Sequence, residues 1–361
     1  MLIKSGIKAT HLFITLLIAI QAMFFCQLST AAPVQMSGFF STGITDANAD
    51  NTILRNNQIE NKTNYLADTV FGLQLWTLLS KEARFSAQLI ALDKNNSFDV
   101  EAEWLFVSHQ VSSNIELRAG RLRLPTYLVS ETILVGQSYD WVRPPMELLT
   151  LTGGLNRYNG FSSIYKYNIG SASVEAELYI GQMKDSVKLE GFPTKLNSKQ
   201  MYGGQLSYST DNFVIRASQM DAKVLYNIPS LGIELESPIS VKVVGMQFNR
   251  ANAGGSWEWG TLQGNRGDLR ALYASLFYTL DRWTPIFTYG ASNTDSNWGT
   301  ANYKGETITL GCRYDFSETH SLKAQVLRGE LIDSIALIFT PPATGFDDKI
   351  TVYSLSLNMV F

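Results

Sequence analysis

The last nine residues, Tyr353 to Phe361, alternate without a break up to the end of the chain. Tyr353, Leu355, Leu357, Met359 and Phe361 fall on one parity and Ser354, Ser356 and Asn358 on the other, the two-residue period of a strand with unlike faces. A terminal residue in a soluble sheet frays into water and tends to be polar, whereas here it is one more member of the apolar face. Something apolar must lie against this strand along its whole length.

The pattern recurs. Phe85, Ala87, Leu89 and Ala91 oppose Ser86, Gln88 and Ile90; Val100, Ala102, Trp104 and Phe106 oppose Glu101, Glu103 and Leu105. Ala172, Val174, Ala176, Leu178 and Ile180 oppose Ser173, Glu175, Glu177 and Tyr179, and Ile308, Leu310, Cys312, Tyr314 and Phe316 oppose Thr307, Thr309, Arg313 and Asp315. Sixteen strands are predicted, near 34–43, 67–79, 83–92, 97–110, 115–124, 160–169, 172–182, 200–209, 212–222, 239–249, 256–264, 269–279, 283–292, 305–316, 320–329 and 349–361. Most are close to the ~9–11 residues a tilted strand needs to cross a hydrocarbon layer. Short connections at 80–82, 111–114, 170–171, 210–211, 251–255, 280–282 and 317–319 are interleaved with mostly longer ones, 44–66, 125–159, 183–199, 223–238, 293–304 and 330–348. Aromatic residues flank the short turns: Tyr208 and Phe213, Tyr278 and Trp283, Tyr314 and Phe316.

Residues 1–31 read as a cleaved export signal, with Lys4 and Lys8 before an apolar stretch from Leu12 to Phe25 and small residues Ser29-Thr30-Ala31 at the cleavage point. The stretch is too short, and lacks a basic flank, for an anchoring helix. Met23-Phe24-Phe25 is too bulky for Cys26 to be a lipidation site. Residues 32–361 then keep a single cysteine, Cys312, so no internal disulfide can form. Losing Lys4 and Lys8 leaves 27 basic against 32 acidic residues, a net charge of −5 that argues against nucleic acid as a partner. With no run of ~18 apolar residues after the signal, a membrane location requires a closed barrel, the other structure that satisfies every backbone group in lipid. A soluble β-sandwich would also alternate, but the turn rhythm and the aromatic terminus favour the barrel.

The signal segment, the short-turn and long-loop rhythm, and the terminal Tyr353 to Phe361 resemble the outer-membrane porins of Gram-negative bacteria. The resemblance implies an all-β transmembrane antiparallel barrel of about 16 strands, periplasmic short turns, extracellular long loops, an outer-membrane location in contact with lipid, and a homotrimer. It implies a passive, water-filled channel for small hydrophilic solutes or ions. The alternative is a sealed barrel that works as an adhesion or recognition surface through its loops.

In a barrel this wide the polar parity lines a water-filled lumen. Arg84, Glu101, Glu103, Glu116, Arg118, Glu175, Glu177, Arg216, Lys242, Arg313 and Lys323 are the charged candidates on it. The connection 125–159 is too apolar for an exposed tip, with Leu128, Val129, Ile133, Leu134, Val135, Leu148, Leu149 and Leu151, and must pack against something. By the resemblance, the third external loop folds into the lumen as a constriction, to which Tyr127, Glu131, Asp140, Arg143 and Glu147 belong, together with Arg121 and Arg123 just before it. The two arginines share the lipid parity of Ile115, Leu117 and Ala119. Either a bulge around Gly120 turns them inward or they sit at the outer rim; the bulge is favoured because Leu122 and Leu124 would then face lipid.

Enzymatic chemistry has little to stand on. Two histidines remain after the signal, His109 and His320, and both adjoin short turns. A barrel hydrolase would need one beside a serine or acid on the outer side. No cofactor is implied, and no Cys/His/Asp cluster has transition-metal spacing. Asp46, Asn48 and Asp50 match the opening of a calcium loop, but Asn51 and Asn57 stand where its glycine and bidentate glutamate belong.

Overall fold

In the computed structural model, which describes residues 33–48, 53–54, 63–94, 97–152, 156–189, 192–265, 267–296, 303–333, 339–340 and 349–361, sixteen antiparallel strands close into one barrel. They are β1 Gln35–Ala47, β2 Val70–Leu78, β3 Ala83–Lys94, β4 Ser97–Ser112 and β5 Ile115–Arg123. There follow β6 Arg157–Ile169, β7 Ala172–Leu189, β8 Phe192–Thr210, β9 Phe213–Ile228 and β10 Ile233–Arg250. The last six are β11 Ala253–Gly264, β12 Gly267–Tyr278, β13 Trp283–Ser296, β14 Tyr303–Ser317, β15 His320–Asp333 and β16 Lys349–Val360. Each pairs with its chain neighbour, and β16 closes the ring against β1. A separate two-residue ladder joins Ile53–Leu54 to Phe339–Thr340. Residues 1–31, and Asp50, Asn51 and Asn57 of the calcium-like stretch, lie outside the described residues.

The terminal strand explains its own alternation. Tyr353 and Leu355 are exposed on the outer face while Ser354, Ser356 and Asn358 are buried on the inner one. Phe361 is clasped by β1: the Gly38 N–H donates to its carbonyl at 2.7 Å, and its own N–H donates to the Gly38 carbonyl at 2.9 Å. A Cβ on Gly38 would stand 2.5 Å from the Phe361 ring. Only glycine lets that ring lie there.

The outer face is an apolar belt, with Phe161 66%, Leu178 70%, Ile180 61% and Leu310 60% exposed; such a surface on a closed barrel is made for hydrocarbon. Aromatic residues rim it beside the short turns, Trp283 lying tilted against Tyr314 at 4.5 Å and Tyr314 meeting Phe316 edge-on at 5.1 Å. Asp281 and Ala251 take φ of 55° and 52° in two of these turns.

Two expectations are corrected. The connections 183–199 and 223–238 are mostly strand, because β7 with β8 and β9 with β10 continue as long hairpins. Their alternation persists with the faces exchanged. Met183, Leu196, Met201, Ala222, Val224 and Ile239 are buried on the inside while Lys184, Lys195 and Lys223 face out, so a search for an apolar outer face passes over them. The second correction concerns β4, where the register against β3 shifts between Gln88 and Leu89 and Glu103 is the extra residue. The bulge reverses the parity after it: Leu105 and Val107 point out, while Trp104 and Phe106, expected to face lipid, point in opposite Gln88 and Ser86.

Candidate functional site

The connection between β5 and β6 runs along the inner face of half the barrel. Its apolar residues bury Leu124, Tyr127, Trp141, Leu148 and Leu151 in a cluster with Met220, Val241, Val243, Leu269, Ala271 and Tyr273 of the wall. A four-residue helix, α1 Met146–Leu149, carries part of it. The wall meets this segment with residues small enough to admit it. A Cβ on Gly290 would lie 2.3 Å from the Glu147 carboxyl carbon, and one on Gly260 2.6 Å from a Leu151 methyl.

Polar anchors fix the segment around eight strands. Lys323 of β15, 1% exposed, donates to the carbonyls of Gly136, of Tyr139 at 2.6 Å and of Trp141 at 2.9 Å. Three backbone oxygens thus take the three protons of one ammonium, whose charge also lies 4.5 Å from the Tyr139 ring. Arg313 of β14 donates to the Gln137 and Tyr139 carbonyls, both at 3.1 Å, and pairs with Asp140 and Asp315. Ser321 donates to Gln137 at 2.6 Å. The Trp141 indole donates to Thr288 at 2.9 Å and Ser275 at 3.2 Å, its ring edge-on to Tyr273.

Arg143 extends the chain of contacts across the closing strands: it pairs with Asp68, ahead of β2, and donates to Thr45 of β1 and to Ser354 of β16 at 3.1 Å. Pro144-Pro145 follows at once, fixing the backbone beyond the anchor. At the other end Arg216 donates to the Tyr127 carbonyl at 2.8 Å and Ser218 to that of Thr126 at 2.7 Å. Glu258 of β11 accepts from the Leu128 N–H at 2.8 Å and from the Tyr273 hydroxyl at 2.9 Å. Glu147 accepts from Thr307, and burial pushes its carboxyl above the usual range. Burial also raises Asp140, with Arg313 and Lys323 pulling the other way.

The rest of the inner face, from β2 to β8, carries charges that, apart from Arg123, are not spent on the segment. Arg118 pairs with Glu116 at 2.8 Å, and Lys166 with Glu175 at 2.8 Å, which also accepts from Gln205 at 2.9 Å. Glu177 is buried beside them. Glu131, exposed on the segment, is within electrostatic reach of both Arg118 and Glu177. Arg84 lies 5.9 Å from the Trp76 ring. Nearer the long loops, Arg157 binds Glu101 at 2.7 Å, Glu103 at 3.1 Å and Asp185 at 3.5 Å, and Arg123 pairs with Glu103.

Three sequence expectations change here. The ladder from Leu105 opposite Arg121 to Ser108 opposite Arg118 is continuous, so there is no bulge at Gly120; instead Gly120 takes φ of 140°, where a Cβ would stand 2.3 Å from the Leu105 carbonyl oxygen. Leu122 and Leu124 join the inner cluster and do not face lipid. Arg121 and Arg123 belong to β5, and they part company: Arg123 turns to Glu103 and the Ser130 carbonyl, while Arg121 sits opposite outward Leu105 and reaches the Ala102 carbonyl at 3.0 Å. Lys242 is exposed on the outside, because Val241 and Val243 take the inner positions under the segment. The parity rule had assumed water inside; where the inside is dry, it inverts.

Asp68, Thr45, Arg157 and Glu258 were not anticipated as anchors. Glu258 had a signal, since Trp257-Glu258-Trp259 alternates with both tryptophans outward; Asp68 had none, as its partner is 75 residues away. His320 hydrogen-bonds with Ser317 and Thr319 within its own short turn, at 3.2 and 2.8 Å, and exposed His109 sits opposite Leu117 at the foot of β4. Asp46 accepts from Thr63 at 2.8 Å, and Asn48 from the Thr351 N–H at 2.8 Å.

Residues 17–331 match the family described as Gram-negative porin. The barrel is similar to the anion-selective porin from Comamonas acidovorans, with 15% identity, a TM-score of 0.66, and 91% of this chain and 100% of that one covered. It is similar to the trimer form of in-vitro folded OmpT, an outer-membrane protein of Vibrio cholerae, with 12% identity, a TM-score of 0.59 and coverage of 92% and 100%. It is also similar to the outer-membrane channel DcaP of Acinetobacter baumannii, with 10% identity, a TM-score of 0.62 and coverage of 92% and 98%. No curated protein sequence matches the chain.

Proposed function

The chain belongs to the Gram-negative porin family, and from that premise we propose that this outer-membrane passive channel for small hydrophilic solutes is narrowed by residues 125–159. The observation that carries the reading is the anchoring of that segment mainly on one side of the inner wall, by Lys323, Arg313, Trp141, Arg143 and Glu258. Such one-sided packing leaves the charged surface from β2 to β8 to border the path of a solute. Glu131 is then the segment's charge toward that path, facing Arg84, Glu116, Arg118, Glu175 and Glu177. Selection is by width and electrostatic bias, with no covalent step; His109 and His320 are ordinary turn-side residues. The export signal is removed after Ala31. A trimer is supported by the trimeric form of the similar Vibrio cholerae barrel.

Single-channel recording of the refolded mature protein in a planar bilayer under a salt gradient tests this. Current steps in threes, with a reversal potential that shifts on Glu131→Gln, are expected. Silence from fully inserted protein would overturn the reading in favour of a sealed barrel.

A further inference from the structure

We propose that the inner wall near the short turns binds carboxylates carried on a planar apolar ring, at a shelf formed by Trp76, Phe106, Arg84 and Arg118. The inference rests on the reading of the barrel as an open channel and names the class of solute it favours.

The ladder sets the geometry. Trp76 of β2 pairs with Ser86 of β3, and Ser86 with Phe106 of β4, so two aromatic side chains stand on either side of one small residue. One step nearer the short turns, Arg84 pairs with Ser108 and Ser108 with Arg118, which puts two guanidiniums on either side of a second small residue. The two rows share a face, since Ser86 follows Arg84 and Phe106 precedes Ser108 by two residues. The outer residues of each row are two strands apart, roughly 10 Å, a spacing that one ring can bridge. Trp104, opposite Gln88, continues the aromatic surface at 5.5 Å from Phe106.

The surface has a vacant capacity of matching chemistry. Trp76 is 39% exposed although it points inward. Among the described residues no carboxylate pairs with Arg84, whose Nε is buried without a hydrogen-bond partner, and its guanidinium rests over Trp76. Arg118 rests over Phe106 at 5.4 Å and keeps one acid, Glu116. A flat ring finds stacking partners here, and its carboxylate finds a guanidinium fork whose planar geometry suits two oxygens. A sugar would find the ring surface but carries no charge to meet the guanidiniums. An alkyl carboxylate would find the charge but lose the stacking.

The test uses the refolded full-length mature channel in a bilayer, with potassium benzoate added to potassium chloride. Benzoate should interrupt the chloride-borne current in a saturable way at concentrations where acetate and glucose do not. Arg84→Gln and Phe106→Ala should each weaken that block by about tenfold while still conducting, as expected when one charged hydrogen bond or one ring-on-ring stack is removed. Equal action of benzoate and acetate, block by glucose, or block unchanged in both variants would overturn the proposal while the channel itself stands. If inserted protein carries no current, the channel reading fails, and quenching of tryptophan fluorescence by benzoate in detergent decides the shelf separately. Saturable quenching that is weakened by Arg84→Gln supports it, and its absence refutes it.

Discussion

The inner face of this barrel has two halves built on opposite rules. From β9 round to β16 and β1 the wall is lined by Met220, Val241, Val243, Leu269, Tyr273 and buried hydroxyls, and residues 124–152 lie on it with Asp140 and Arg143 in ion pairs and Glu147 hydrogen-bonded to Thr307. From β2 to β8 it presents Arg84, Glu116, Arg118, Glu175 and Glu177 with only local partners, and the apolar cluster reaches into it only through residues such as Leu122, Met183, Leu196 and Met201. Strand geometry is common to both halves; the difference lies in what covers them. In the dry half the polar groups that anchor the segment, Lys323, Arg313, Trp141 and Glu258, are each held by specific mates, because an unpaired buried donor or ion is costly. In the other half the charges pair with neighbours on adjoining strands, Arg118 with Glu116 and Lys166 with Glu175, and are not covered by the segment's apolar residues.

The largest way to break the contrast is to remove the aromatic anchor of the dry half. Trp141→Ala deletes a buried ring with two hydrogen bonds and should cost about 4 kcal/mol, read as a lowered unfolding midpoint in detergent together with a larger, noisier conductance. Asp68→Ala leaves Arg143 buried without its acid and should cost about 3 kcal/mol; recovery in the double variant Asp68→Ala/Arg143→Met would show that the stranded charge is the cause. A loss confined to stability, with conductance unchanged, would contradict the placement of the segment along the path.

Glu147 sharpens the contrast through pH. Its carboxyl is raised by burial, so the folded state favours the protonated form: the stabilisation is fully present below the ordinary carboxylate pKa and is lost as pH rises through the raised value. The segment should therefore hold most firmly in acid, and Glu147→Gln should keep that firmness at neutral pH, measured as unfolding midpoints across a pH series. The smallest effect on stability belongs to the half from β2 to β8. Glu116→Gln, in a partly exposed pair with Arg118, should change stability by no more than ~1 kcal/mol yet move the reversal potential toward anions.

Much of the barrel was legible in the chain. The two-residue period gave the sixteen wall strands, the short turns fell where expected, and the terminal Phe361 closes the ring on Gly38. The apolar content of 125–159 announced a packed segment, and Glu131, Asp140 and Glu147 are on it. What misled was the assumption that polar means inward. Lys242 failed it because Val241 and Val243 lie beneath the segment, and Phe106 failed it because one extra residue at Glu103 reverses the face.

Alternation is a local property, fixed by backbone geometry and by the hydrocarbon outside, so the sequence by itself determined the membrane barrel, its strands and its closing terminus. Which half of the interior is dry depends on where one connection lies, and that is settled by pairings such as Arg143 with Asp68, Trp141 with Thr288 and Lys323 with the Trp141 carbonyl, each 75 or more residues apart. Pairings of that range leave no periodic trace in a single sequence, and only the closed tertiary structure brings their members together.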